Sequence, residues 1–145
     1  MSTTDKAKEF ATISGLILAN VHASHPIRIN LDMNEVMHAM GVDSPTDPLP
    51  SGLMFKQMFR ATLDWLLQEQ FVHTSGGAQN LTLTTKGLAA MNAVPKNLGP
   101  SVAEAIEEAK PGAGSDDGRN RFASIIGELV GSIAGSLTKS LSSGG

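Results

Sequence analysis

The stretch from Leu53 to Gln70 constrains the fold more than any other part of the chain. Ahead of it, "VDSPTDPLPSG" (residues 42–52) places prolines at 45, 48 and 50, which enforces a loop. After the loop, Phe55, Phe59, Leu63, Leu66 and Leu67 recur at helical spacing, and Met54, Met58, Ala61 and Trp65 form a second stripe beside them. Lys56, Gln57, Arg60, Asp64 and Gln68 are left for solvent. A helix over about 53–70 with so wide an apolar face needs cover from its neighbours.

The flanking segments supply candidates. Residues 5–24 read as an amphipathic helix whose buried face is Phe10, Ile13, Leu16, Ile17 and Val21. His25-Pro26 ends it. Ile27, Ile29 and Leu31 alternate with Arg28 and Asn30, the pattern of a short half-buried strand. Asp32 three residues before Glu35 marks a helix start, with Val36, Met37 and Met40 inward and Gly41 as the stop. Ser51 is the expected cap of the long helix. Phe71–Thr74 and Asn80–Thr84 read as a hairpin around "SGGAQ". Thr84 or Thr85 then caps a helix reaching about Ala93, and Pro95 stops it.

This order of helix, short strand, helix, helix, hairpin and helix is that of a winged helix-turn-helix domain. The stretch "TLDWLLQEQFVHTSGGAQNLTLTTKGLAAM", residues 62–91, resembles the MarR-like and PadR-like regulators, in which a helix runs into "WLxxxxF(V/I)", a wing and "LTxKG". The counterparts are Trp65-Leu66, Phe71-Val72, the tip at Gly76-Gly77, and Leu83 through Gly87. The resemblance implies a mainly α (α+β) fold with a small antiparallel hairpin. It also implies candidate DNA contacts at Ser51, Lys56, Gln57, Arg60 and Lys86, with the wing at 75–79. The wing tip carries no Arg or Lys, and Asp43 and Asp47 make the preceding loop acidic. Lys56, Arg60 and Lys86 give a dimer roughly six phosphate partners, at the low end for DNA.

The chain has 145 residues, no cysteine and a net charge of −3. Absence of cysteine excludes disulfides and thiolate chemistry and suits a cytoplasmic protein. The acidic balance argues against nucleic acid as the main partner. Lys6 and Lys8 precede an apolar run, but Asp5 and Glu9 interrupt the basic region and the apolar residues follow helical spacing, so a buried helix is expected there instead of a leader. No phosphate loop, serine elbow or paired-carboxylate site stands out. His22 and His25 have HxxH spacing without a nearby third ligand, and adjacent Glu107 and Glu108 diverge on a helix. The expectation is a non-enzyme with no cofactor and no metal.

Beyond residue 96 the composition changes. Ser101 and Glu104 form a capping box for a short acidic helix, within 97–110, and "PGAGSDDG" (111–118) reads as a flexible linker. Residues 119–145 read as an amphipathic tail helix following the 1–96 domain. At about 100° per residue, Phe122, Ile125, Ile126, Leu129, Val130, Ile133, Leu137 and Leu141 share an arc of roughly 160°. Gly127, Gly131 and Gly135 lie opposite, although glycine costs a helix about 1 kcal/mol relative to alanine. Small residues let backbones approach closely. The tail is therefore expected to associate with itself, as a homo-oligomer, or with a protein partner. Binding to a membrane surface and packing on the chain's own core are the alternatives. The leading functional expectation is a protein-interaction or regulatory protein; the second is a DNA-binding regulator dimerising through the tail.

Overall fold

The computed structural model describes residues 3–76, 79–95 and 99–144, with side chains for 5–76, 79–95 and 99–130. Its elements are α1 (Thr3–Ser24), α2 (Met33–Ala39), α3 (Phe55–Gln68), β1 (Val72–His73), β2 (Thr82–Leu83), α4 (Thr85–Asn92), α5 (Val102–Ala109) and α6 (Asp116–Gly144). The fold is mainly helical with a two-stranded antiparallel sheet.

Helix α1 is the centre. Residues 11 to 19 are buried without interruption, because α2, α3, α4, α5, α6 and β2 all pack against it. The expectation of one buried face is thereby corrected: a second face built from Ala11, Ser14, Gly15 and Ala19 is buried as well. Small residues there admit neighbouring elements at short range. A Cβ at Gly15 would stand 2.7 Å from the Phe122 ring, so only glycine leaves room for that ring.

Burial on all sides puts Glu9, Thr12 and Ser14 of α1 in the core; Glu9 and Thr12 find partners there, while the Ser14 hydroxyl has none among the described residues. Thr12 Oγ1 donates to the Lys8 carbonyl at 2.7 Å. Glu9 is fully buried, and both its carboxylate oxygens are occupied by one residue. Ser51 donates its N–H to Glu9 Oε2 at 2.8 Å and its hydroxyl to Oε1 at 2.6 Å. Ser51 is therefore not the cap of α3. That helix starts at Phe55 with Met54 as its cap residue, and the Met54 N–H goes to Gln57 Oε1 at 3.1 Å. The Leu49–Gly52 turn, closed by the Gly52 N–H on the Leu49 carbonyl at 2.8 Å, presents Ser51 inward, and Gly52 takes φ +94° to do so.

Other caps lie where local sequence places them. Asp32 accepts the Asn34 N–H at 2.9 Å and starts α2, while Gly41 follows its end at φ +71°. Ser101 accepts the Glu104 N–H at 3.1 Å and donates to the Glu104 carboxylate at 3.0 Å.

In the sheet, Val72 pairs with Leu83 and His73 with Thr82. The strand expected over 27–31 reduces to a single bridge, Ile29 with Leu81, on the other edge of β2. Its backbone bonds measure 2.9 and 2.7 Å. On either side of it, side chains replace the ladder: Arg28 donates to the Asn80 carbonyl at 3.3 Å, and Asn30 accepts the Asn80 N–H at 3.1 Å. Ile27 consequently points out, 69% exposed.

Residues 111–118, expected as a flexible linker, form a packed corner. A 3-10 turn spans Lys110–Gly112, and Ala113 is fully buried. Ser115 donates to the Gly112 carbonyl at 2.8 Å and accepts the Gly118 N–H at 3.0 Å. Gly118 approaches Gly112 so closely that a Cβ would collide with its carbonyl. One cluster of buried side chains runs from Ala11 to Leu129.

Truncating Glu9 to Ala strands the Ser51 N–H and hydroxyl in the core. We expect Glu9→Ala to lower unfolding stability by about 3 kcal/mol and Ser51→Ala by about 2 kcal/mol. Denaturant unfolding checks both, and the double mutant should cost less than the sum of the two.

Candidate functional site

Two surfaces carry the sequence-based expectations: the outer face of α3 with the hairpin, and the outer face of α6. The junction of α3, the hairpin and α4 fixes the first. Helix α3 ends with the Gln70 N–H on the Leu67 carbonyl at 3.1 Å and the Phe71 N–H on the Leu66 carbonyl at 3.0 Å. Gln70 takes φ +63° at the position where glycine is usual in this kind of helix end. The last carbonyls are then collected by the "LTTKG" segment. The Thr84 hydroxyl donates to the Gln70 carbonyl, the Thr84 N–H reaches the Phe71 carbonyl at 3.2 Å, and Lys86 Nζ donates to the Glu69 carbonyl at 2.8 Å. Thr84 Oγ1 meanwhile accepts the Gly87 N–H at 3.0 Å and so caps α4. At 87, any Cβ would strike the Phe71 carbonyl, so the glycine is a steric requirement.

An aromatic series runs through this junction. Phe10 meets Trp65 edge-on at 5.0 Å, Trp65 stacks on Phe71 at 5.7 Å, and the Lys86 ammonium lies 4.6 Å from the Phe71 ring centre. The cation therefore binds a helix end and a ring face at once.

These contacts redistribute the candidate DNA-facing residues. Ser51 is buried on Glu9 and is unavailable to any external ligand in this fold. Lys86 is engaged as described, and Gln57 turns its carbonyl oxygen to the start of α3. Arg60 is exposed and Lys56 partly so, next to exposed Asp64. The α3 face thus carries little net positive charge. Gly77 and Ala78, of the expected wing tip, lie outside the described residues.

On α6, Phe122, Ile125, Ile126 and Leu129 are all buried. They pack on the chain's own body, chiefly α1 and α5. Burial at roughly 1.5–3 kcal/mol per large apolar side chain makes them structural. Outward stand Asp117, Asn120, Arg121, Ser124 and Gly127. A Cβ at Gly127 would meet nothing within 4 Å, and Val130 is 39% exposed. Gly131, Ile133, Gly135, Leu137 and Leu141 lie beyond the described side chains.

His22 and His25 stand in different local settings. His22 Nε2 contacts Asn92 Oδ1 at 3.2 Å, whereas His25 sits in the turn after α1, ahead of a cis peptide bond to Pro26. Among the described residues no group of three or more metal-ligating side chains gathers, and no helix is long and apolar enough to cross a membrane. Sequence reasoning missed the Glu9–Ser51 pair, for which the available signal was an acid four residues before Ile13 and seven before Leu16, on the apolar face of α1. Comparison with protein-family models, curated proteins and solved structures returns no match to this chain.

The junction gives substitutions of opposite sign. Thr84→Ala removes the α4 cap and a donor to α3, and should cost about 2 kcal/mol. Gln70→Gly relieves the left-handed backbone and should add about 1 kcal/mol. Thermal unfolding of the two variants checks the pair.

Proposed function

We propose that this chain is a non-catalytic, winged-helix-like protein that acts through protein–protein contact, with the outer and distal part of α6 as its association element. The winged-helix reading is supported by the helix order, by the hairpin leading into α4, and by the Ile29–Leu81 bridge that adds a third segment to the hairpin. The observation that carries the association reading is the uncovered outer side of α6. Up to Leu129 its apolar residues serve the core, while Gly127 and Val130 stand uncovered. The sequence pattern then continues with Ile133, Leu137 and Leu141 opposite Gly131 and Gly135. In a monomer, glycines on an open helix face cost stability without return. A second helix packed on them would give them a use.

The DNA-regulator reading is less well supported. Of its candidate contacts, Ser51, Gln57 and Lys86 have internal partners, leaving Lys56 and Arg60. Two cations per chain on a protein of net charge −3 give weak attraction for a phosphate backbone.

A test of the tail must spare its first turns. Deletion from residue 119 would remove Phe122, Ile125, Ile126 and Leu129 and unfold the body, so the informative boundary is after Val130. A chain of residues 1–130 is expected to fold and to be monomeric, whereas the full chain forms a larger species in sedimentation. Equal, monomeric sizes for both would overturn self-association. Gly127→Ala should stabilise the truncated monomer by about 1 kcal/mol through helix propensity. In the full chain the same change should weaken association. Retention of the full chain on DNA at low salt, lost in Arg60→Ala, would favour the regulator reading instead.

A further inference from the structure

We propose a second interaction site, independent of α6: a groove between the C-terminal end of α1, the C-terminal end of α4 and one face of α5, which takes a basic amphipathic peptide segment of a partner protein. The groove has a volume of about 450 Å³. Its floor is apolar and made of short side chains, Ala19 and Ala23 from α1 and Ala103 from α5, with Met91 of α4 beneath. Alanine at these three places keeps the depression open, since a larger residue would fill it. The α4 and α5 sides of the groove are tied by the Val102 N–H on the Ala93 carbonyl at 2.9 Å.

The charge of the rim selects the occupant. Glu104, Glu107 and Glu108 line the α5 side, and all three are exposed. On the opposite side α1 ends at Ser24 and α4 at Asn92, so two helix C-termini add partial negative charge to the same region. His22, the other polar lining residue, is held by Asn92. Lys110 and Arg121 approach Glu107 and Glu108 from outside, at 4.0 and 3.7 Å. Such loose, exposed pairs are worth little and are readily exchanged for an incoming cation. An aliphatic side chain on the alanine floor, flanked by lysine or arginine at the glutamates, satisfies both halves of the site. An anionic partner or a nucleic acid would be repelled.

The test uses the full chain, isotope-labelled for amide NMR, titrated with a synthetic amphipathic leucine–lysine peptide and with its leucine–glutamate counterpart. The lysine peptide is expected to shift the amides of 19–23, 91 and 103–108 saturably, and the glutamate peptide to leave them unmoved. Glu104→Lys should weaken binding roughly tenfold, while Asp64→Lys, the same charge change on α3, leaves it within about twofold. Ala103→Leu fills the floor without changing charge and should abolish the saturable shifts, with circular dichroism confirming that the variant is folded. Absence of binding, shifts spread over the whole surface, or equal losses in Glu104→Lys and Asp64→Lys would each overturn the proposal. A fall in oligomeric size caused by Ala103→Leu would assign the groove to a second copy and overturn it too.

Discussion

Helix α1 sets the terms on which everything else packs. Its middle turns are shut off from water on all sides, so each neighbouring element is there because it covers part of α1. A helix in that position is favoured by apolar or small side chains around most of its circumference. The sequence meets the demand in two ways. Ile13, Leu16, Ile17, Leu18 and Val21 supply volume, while Ala11, Gly15 and Ala19 supply closeness. The Phe122 ring over Gly15 is one such close fit, and it joins α1 to α6. Thr12 and Ser14 are uncharged exceptions to apolarity, and Glu9 is the charged one. Its carboxylate is tolerated because the turn at 49–52 delivers two donors to it, so that turn is held in place by a helix 42 residues earlier.

How much of this was legible depends on the range of the interactions. The main stripe of α3, the caps at Asp32, Thr84 and Ser101, and the alternation of Leu81 and Leu83 all act over a few residues, and they stand where the sequence placed them, whereas in the second stripe Ala61 is exposed and Thr62 is buried in its stead. Ser51 was misassigned because its local surroundings resemble a cap, while its actual partner is remote. The 111–118 segment misled for the opposite reason. Glycine and serine there suggest freedom, yet Gly112 and Gly118 are present because two stretches of backbone touch. Composition cannot distinguish a glycine that permits motion from one that permits contact. The same ambiguity applies to α1, where the single buried face read from the large apolar residues leaves out the small residues Ala11, Gly15 and Ala19.

The packed corner at 111–118 also changes what the last helix can be. A helix on a free tether searches for partners independently of the body and loses much orientational freedom when it finds one. Here Gly118 is locked against Gly112, and Phe122 to Leu129 are seated in the core. The start of α6 is part of the rigid body, so any contact on its outer side at Gly127 is presented at a fixed place.

Glycine placement at the two ends of this argument obeys one rule with opposite outcomes. At 15, 87 and 118 a side chain has nowhere to go, and the glycine is explained within the monomer. At 127 a side chain would enter open space, φ is ordinary, and alanine would make a better helix. Folding of the monomer therefore gives no reason for glycine there. Either the position is unselected, or its reason lies in a neighbour outside the chain. The repetition of glycine at 131 and 135, in register with 127 on one side of the helical wheel, favours the second, because an unselected residue has no cause to recur with the helical period.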